Sequence, residues 1–240
     1  MFALGDGRDG TGEALITFVL GGAQMSPERA PDGNTFYPVH FHVVAWDRTT
    51  SRTVTLDTTR RFLRDQPLQP GDRFAGWLEM ALPGGDWQIA VRATQESDSS
   101  GAYALTRDVH VDSGTVLAVS DAVFGLTGST RWRATDGGDF PINALGAWQS
   151  DSRVELYYEV HGVLANGPYN TSITLRPADA KAKDLVRIAT TDRSQGSVTR
   201  VRRSMVLPHL KAGSYEVTIT IEAGAQRSTR VETLVVLAPH

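Results

Sequence analysis

Apolar residues recur at every second position along most of this chain, with glycine, proline and aspartate clusters between the runs. Alternation of that kind marks half-buried β-strands rather than helices. The clearest run is residues 154–162, where Val154, Leu156, Tyr158 and Val160 share one face and Glu155, Tyr157 and Glu159 share the other. Residues 36–47 repeat the pattern: Val39, Phe41 and Val43 fall on the inner face and His40, His42 and Trp46 on the outer. Further strands are expected at 13–20, 52–56, 74–82, 87–94, 103–111, 169–176, 185–190, 197–207, 215–222 and 230–237, while 58–65 reads equally as a helical turn or an edge segment. The glycine- and aspartate-rich first nine residues read as loose, residues 21–35 as a long loop, and 97–101 (SDSSG) as a hairpin turn. No stretch carries a helical period over three turns.

Two segments about 128 residues apart nearly repeat one another. LPGGDWQIAV (82–91) aligns with LKAGSYEVTI (210–219), matching Gly85 to Gly213, Trp87 to Tyr215, Ile89 to Val217 and Val91 to Ile219. A second pair, VHFHVVAWD (39–47) and VELYYEVHG (154–162), agrees in order and in apolar face. The repeat predicts an all-β chain of two tandem antiparallel immunoglobulin-like β-sandwiches, 1–115 and 116–240. The join at 112–130 is apolar (Val116, Leu117, Val119, Val123, Phe124, Leu126), which predicts a packed connector rather than a free linker.

Composition narrows the function. At 240 residues, two domains of ordinary size fit, each able to bury a core. The chain has no cysteine, which removes disulfides and thiolate metal sites. The net charge of −3 speaks against nucleic acid as the main partner. The halves differ: residues 1–115 carry a net −5 and residues 116–240 a net +2, which would help two lobes dock or give each its own neighbour. The longest early apolar run, 14–20, is too short to span a bilayer and has no basic leader. Any membrane role is therefore expected to be extrinsic.

Candidate chemistry is sparse. His40 and His42 share a strand face at a chelating spacing, but a metal site needs a third ligand. GLTGST (125–130) lacks the form of a nucleophile elbow. Glu155 and Glu159 stand about 13 Å apart along one strand face, too far for paired glycosidase carboxylates. DGGD (136–139) and ESDSSG (96–101) have turn chemistry rather than calcium-loop spacing, and no phosphate-cradling glycine motif opens a helix. No catalytic, cofactor or metal residue is expected. Partner contact is assigned to two basic clusters: Arg131-Trp132-Arg133 in an expected loop, with Trp132 either an exposed anchor or folded onto the domain junction, and Arg200, Arg202 and Arg203, of which the first two share a face. An aromatic platform from Trp46, Trp77 and Trp148 would instead suit a glycan-binding module.

LAVSDAVFG (117–125), Trp132, FPINALGAW (140–148), VELYYEVHGV (154–163) and PYNTSITL (168–175) together resemble the C-terminal region of bacterial GWxTD-domain proteins, common in Gemmatimonadota. ALGDGRDGTGEALITFVL (3–20) and the glycine-led strand at Gly85 look like the β-domain preceding it. The GWxTD module itself is not present. The resemblance implies an exported protein with no catalytic residues to carry over. A two-sandwich member without that module resembles a membrane-extrinsic scaffolding subunit that holds a larger membrane complex together, such as a photosynthetic reaction centre in its antenna ring. Its expected partners are the protein subunits of that complex, with peripheral membrane contact and no nucleic acid. Its expected place is the periplasmic face of the inner membrane, or the cytoplasm if Met1 is the true start.

Overall fold

A computed structural model of the chain describes all residues except 9–10, 23–24, 32, 96–97, 113–115, 135, 180–182, 208 and 239–240; for 6–8 and 98–104 only the backbone is described. No α-helix occurs among the described residues. The first lobe contains β1 (Phe2–Arg8), β2 (Thr11–Gly21), β3 (Glu28–Arg29), β4 (Thr35–Asp47), β5 (Thr53–Arg64), β6 (Arg73–Pro83), β7 (Gly85–Gln95) and β8 (Asp98–Val111). The second contains β9 (Ala118–Val119), β10 (Val123–Arg133), β11 (Asp139–Ile142), β12 (Ala147–Gln149), β13 (Arg153–His161), β14 (Pro168–Pro177), β15 (Val186–Arg193), β16 (Val198–Val206), β17 (Gly213–Ala223) and β18 (Gln226–Leu237).

Each lobe is a two-sheet sandwich. In the first, the sheet β1-β2-β6 faces a sheet in which β4 pairs with β5 and β7, and β7 with β8. In the second, β11-β10-β13-β16 faces β12-β18-β17-β14-β15, with β9 also on β13. Within each lobe the strands are antiparallel except for β12, which runs parallel to β18. This is the immunoglobulin-like arrangement written twice. The alternation expected for 36–47 holds: Val39, Phe41, Val43 and Ala45 are buried against Ile16, Leu78 and Met80 of the facing sheet.

β7 and β17 occupy the same place in their sandwiches, as the first repeat requires. Gly85 and Gly213 launch them at φ +147° and +155°, a conformation that side chains with a Cβ resist. In both lobes the aromatic two residues on turns back to the chain before the glycine. Trp87 Nε1 donates to the Pro83 carbonyl at 2.8 Å and Tyr215 Oη to the Lys211 carbonyl at 2.7 Å. Each bond reaches four residues upstream and pins the corner where the chain enters the strand. The second repeat does not survive. β4 lies in the larger sheet of the first lobe, whereas β13 lies centrally in the opposite sheet of the second; its counterpart is β2, and that of β4 is β14. Shared alternation matched two strands of different position because a period of two carries no address.

Other boundaries moved. The first residues are a strand rather than loose, the segment 58–65 continues β5, and residues 98–101 belong to β8, with Gln95 paired to Asp98; residues 96–97 of that turn lie outside the described residues. In the segment between the lobes, Leu117, Val119, Ala122, Val123 and Phe124 are buried, and residues 118–119 and 123–130 are strand. Val116 is exposed.

The corner bonds carry a measurable share of stability. Tyr215→Phe removes one hydrogen bond with little change in volume and should cost about 1 kcal/mol in urea unfolding, while the fold is retained.

Candidate interaction site: the lobe junction and its arginines

β13 is buried on both faces. Val154, Leu156, Tyr158 and Val160 point into the second lobe's core. Tyr157 and Glu159, expected on the outer face, have no exposure at all, and neither has His161. The first lobe covers them. The outer face of β1-β2-β6 lies against the outer face of β11-β10-β13, and a third apolar core forms from Leu4 and Leu15 on one side and Val123, Trp132, Phe140, Ile142 and Tyr157 on the other. The protein is thus four sheets stacked, with three dry layers between them.

Trp132 is the centre of this layer. It lies in β10, not in a loop, and is fully buried, edge-on to Tyr157 at 5.1 Å and to Phe140 at 6.3 Å between centroids. Its Nε1 donates to Glu79 Oε1 of the first lobe at 2.5 Å. In return, Trp77 Nε1 of the first lobe donates to the Arg131 carbonyl at 3.0 Å. The two indoles therefore cross-link the lobes in opposite directions.

β1 is gripped from both sides. The Ala3 N–H donates to Asp121 Oδ2 at 2.9 Å and the Asp121 N–H donates to the Ala3 carbonyl at 3.1 Å. Arg230 forms an ion pair with Asp121. A Cβ on Gly5 would stand 2.5 Å from His161 Cε1, so glycine there lets backbone touch imidazole. Gly5, one of the glycines that made the opening read as loose, is a close-approach position.

Beneath β1 sits a buried charged group. Glu159 Oε1 accepts the Tyr157 hydroxyl at 2.9 Å and lies 3.5 Å from Arg200 Nε, while Oε2 is 3.6 Å from His161 Nε2. The Glu159 N–H donates to Ser120 Oγ at 2.9 Å. A glutamate beside a histidine has the chemistry of an acid–base pair, but neither side chain reaches solvent. A substrate has no approach, and catalysis requires one.

The arginines assigned to partner contact are largely committed inside the molecule. Arg202 gives Nε and Nη2 to Asp136 at 2.9 and 2.7 Å, Nη2 to the Gly138 carbonyl at 2.9 Å and Nη1 to the Asp139 carbonyl at 2.8 Å. It also lies over the Phe140 and Tyr157 rings. Arg203 binds Asp192 at 2.6 Å, tying β16 to β15 of the facing sheet. Arg200 and Arg202 do share a face, on an edge strand, and that face is the junction side. Arg131 and Arg133 remain exposed, with Arg131 3.5 Å from Asp139. Sequence reasoning missed Asp121, Glu159, His161 and Gly5; the signal was the run YYEVH, too apolar for a strand with one wet face.

The remaining candidates resolve simply. Asp57 Oδ1 lies 2.7 Å from His42 Nδ1 and 3.4 Å from His40 Nε2, one oxygen between two rings. The His42 hydrogen bond holds the Asp57 carboxyl below the usual range. Among the described residues no group of three or more metal-binding side chains is placed to hold an ion. The three tryptophans form no platform: Trp148 is in the second core, Trp77 is at the junction, and Trp46 stands alone on an outer face at 42% exposure. No helix is long and apolar enough to cross a membrane among the described residues.

No family model and no curated protein matches the chain. Among solved structures, it is similar to the chicken CNTN1 FN1–FN3 domains (15% identity, TM-score 0.25, 99% of this chain and 65% of that one). It is also similar to a glycosyl hydrolase family 2 member from Bacteroides cellulosilyticus (11%, TM-score 0.34, 97% and 29%) and to the chicken interferon gamma receptor alpha chain (9%, TM-score 0.27, 89% and 97%). The chain thus spans less than two thirds of the first two. The protein is an all-β chain of tandem immunoglobulin-like sandwiches, and the fold by itself assigns no function.

Two predictions test the junction. Trp132→Ala should cost about 3–5 kcal/mol and split the single calorimetric unfolding transition into two, one per lobe; Trp46→Ala should leave one transition within about 0.5 kcal/mol of wild type. For Asp136, burial pushes the carboxyl up, but the Arg202 bonds and the Gly138 N–H outweigh it and hold it below the usual range. A depressed carboxyl stabilises above its unfolded value of about 4 and loses that contribution as pH falls through the folded value. The stability gap between wild type and Arg202→Ala should therefore narrow below about pH 4 in acid unfolding curves.

Proposed function

We propose that the protein is a non-catalytic scaffolding subunit that works by surface contact. The observation that supports this most directly is the junction: a dry apolar layer, reciprocal indole bonds and the paired hydrogen bonds between Ala3 and Asp121 join two sandwiches into one stiff body. A body of that kind holds its outer faces at fixed separation, which suits bridging two neighbours. The buried Glu159–His161 pair is sealed from solvent.

The finer reading is a membrane-extrinsic subunit on the periplasmic face, holding the protein subunits of a larger complex such as a photosynthetic reaction centre and its antenna. The resemblance to GWxTD-domain proteins supports it, together with the opposite net charges of the two lobes. The exposed Arg131 and Arg133 at the rim of the junction are the cations of the two predicted clusters left for a partner or for lipid headgroups.

Purification from native membranes in mild detergent is the test. The tagged full chain should co-migrate with a membrane complex of defined subunits. Recovery solely as a free monomer in the soluble extracytoplasmic or cytoplasmic fraction would overturn the reading.

A further inference from the structure

One side of the first sandwich is open. β6 pairs with β2 along its whole length, from Thr11 to Gly21. β1 pairs with β2 only from Arg8↔Thr11 to Phe2↔Leu15. Among the described residues, 16–21 therefore have a strand on one side alone. Every second residue there aims its N–H and C=O away from β6 with no ladder partner. The run with the open ladder edge is Ile16, buried in the core, and the half-buried Thr17, Phe18, Val19 and Leu20, with none of the charges, prolines or bulges that usually blunt a strand edge.

A cleft of about 340 Å³ opens beside this edge, between the two sheets of the sandwich. Phe18 and Leu20 line one wall, Phe41, Val91 and Leu105 the other, and Leu145 of the second lobe closes an end. Leu105 is 40% exposed and Leu145 56%. Arg73, opposite Gly21, is the charged group in the lining.

We propose that this cleft takes an extended peptide strand from a partner protein, apolar at alternate positions, added antiparallel to residues 16–20 in line with β1. Only main chain can satisfy an open ladder edge, which selects an extended peptide over a helix or a small molecule. The apolar trough then receives every second side chain. Antiparallel to β2, the guest strand would begin opposite Gly21 and end opposite Ile16. Its N-terminal end would lie by Arg73, which favours an acidic residue there. Leu145 makes the cleft continuous with the lobe junction, so a bound strand would touch both lobes. The inference rests on the reading of the protein as a contact module and names one contact.

The test uses the full chain and a short fluorescent peptide with valine at alternate positions, threonine between them and aspartate at its N-terminus. A peptide of the same composition in block order and an N-methylated copy serve as controls. Fluorescence anisotropy should show the alternating peptide binding about tenfold or more tighter than either control. Leu105→Asp should weaken it by a similar factor, and Leu164→Asp, on an exposed site of the second lobe, should not. Hydrogen exchange at residues 16–21 should slow when the peptide is present. Equal binding of the three peptides, indifference to Leu105→Asp, or unchanged exchange at 16–21 overturns the proposal. Slowed exchange with rising protein concentration and no peptide, together with a dimer by light scattering, assigns the edge to a second copy and also overturns it. A failed peptide test with retained membrane co-purification would sink the cleft and leave the scaffolding role standing.

Discussion

The burial of both faces of β13 organises this molecule. A central strand in an ordinary sandwich has one dry face and one wet face, and its sequence alternates accordingly. Here the second face carries Tyr157, Glu159 and His161, and burying the two polar side chains requires partners in place of water. The first lobe supplies the cover through Leu4, Gly5 and Leu15. Everything distinctive about the protein follows from that demand: glycine where β1 crosses His161, the Asp121 clip on Ala3, and the placement of Trp132 beneath Glu79.

The apolar and ionic parts of the junction do different work. Burying Trp132, Phe140 and Tyr157 supplies most of the attraction, because apolar burial is favourable and tolerant of direction. Buried charges contribute little net stability and are costly if displaced. Glu159, with Tyr157, His161 and Arg200 around it, is satisfied within the second lobe, whereas Asp121 accepts the Ala3 N–H and Glu79 accepts the Trp132 indole N–H across the junction, so sliding one lobe over the other would strip both carboxylates of these donors. These polar bonds therefore fix the register of a contact whose strength comes from elsewhere.

Much of the fold was legible in the chain because alternation reports a strand's inner face directly. Val39, Phe41 and Val43, and Val154, Leu156, Tyr158 and Val160, all fell where their period placed them. The corner at Gly85 and its copy at Gly213 were legible for a second reason, since the glycine conformation and the aromatic bond are local. What failed was long-range. Alternation paired residues 39–47 with 154–162 although they occupy different strands of their sandwiches, and it gave Glu159 to solvent because no local rule says which outer face another lobe will cover. The arginines' internal partners were out of reach for the same reason. A run such as Arg200, Arg202, Arg203 reads as a surface patch until the distant partners Glu159, Asp136 and Asp192 are brought beside it. Trp132 was left between surface anchor and junction, and only the packed sheets decide it.

The stacked arrangement also bears on where partners can dock. Stacking two sandwiches face to face consumes one outer sheet face from each, which tandem domains joined end to end would leave free. The surfaces that remain are the two outermost sheets and the strand edges. The outermost sheet of the second lobe is rich in hydroxyls (Ser172, Thr174, Thr218, Thr220), a poor source of binding energy. The open edge of β2 differs in kind, because unpaired main chain and apolar lining occur there together, and desolvating both at once gives a guest strand affinity and register in one event. If contact is the purpose of this body, that edge is the part of it whose own chemistry is unfinished.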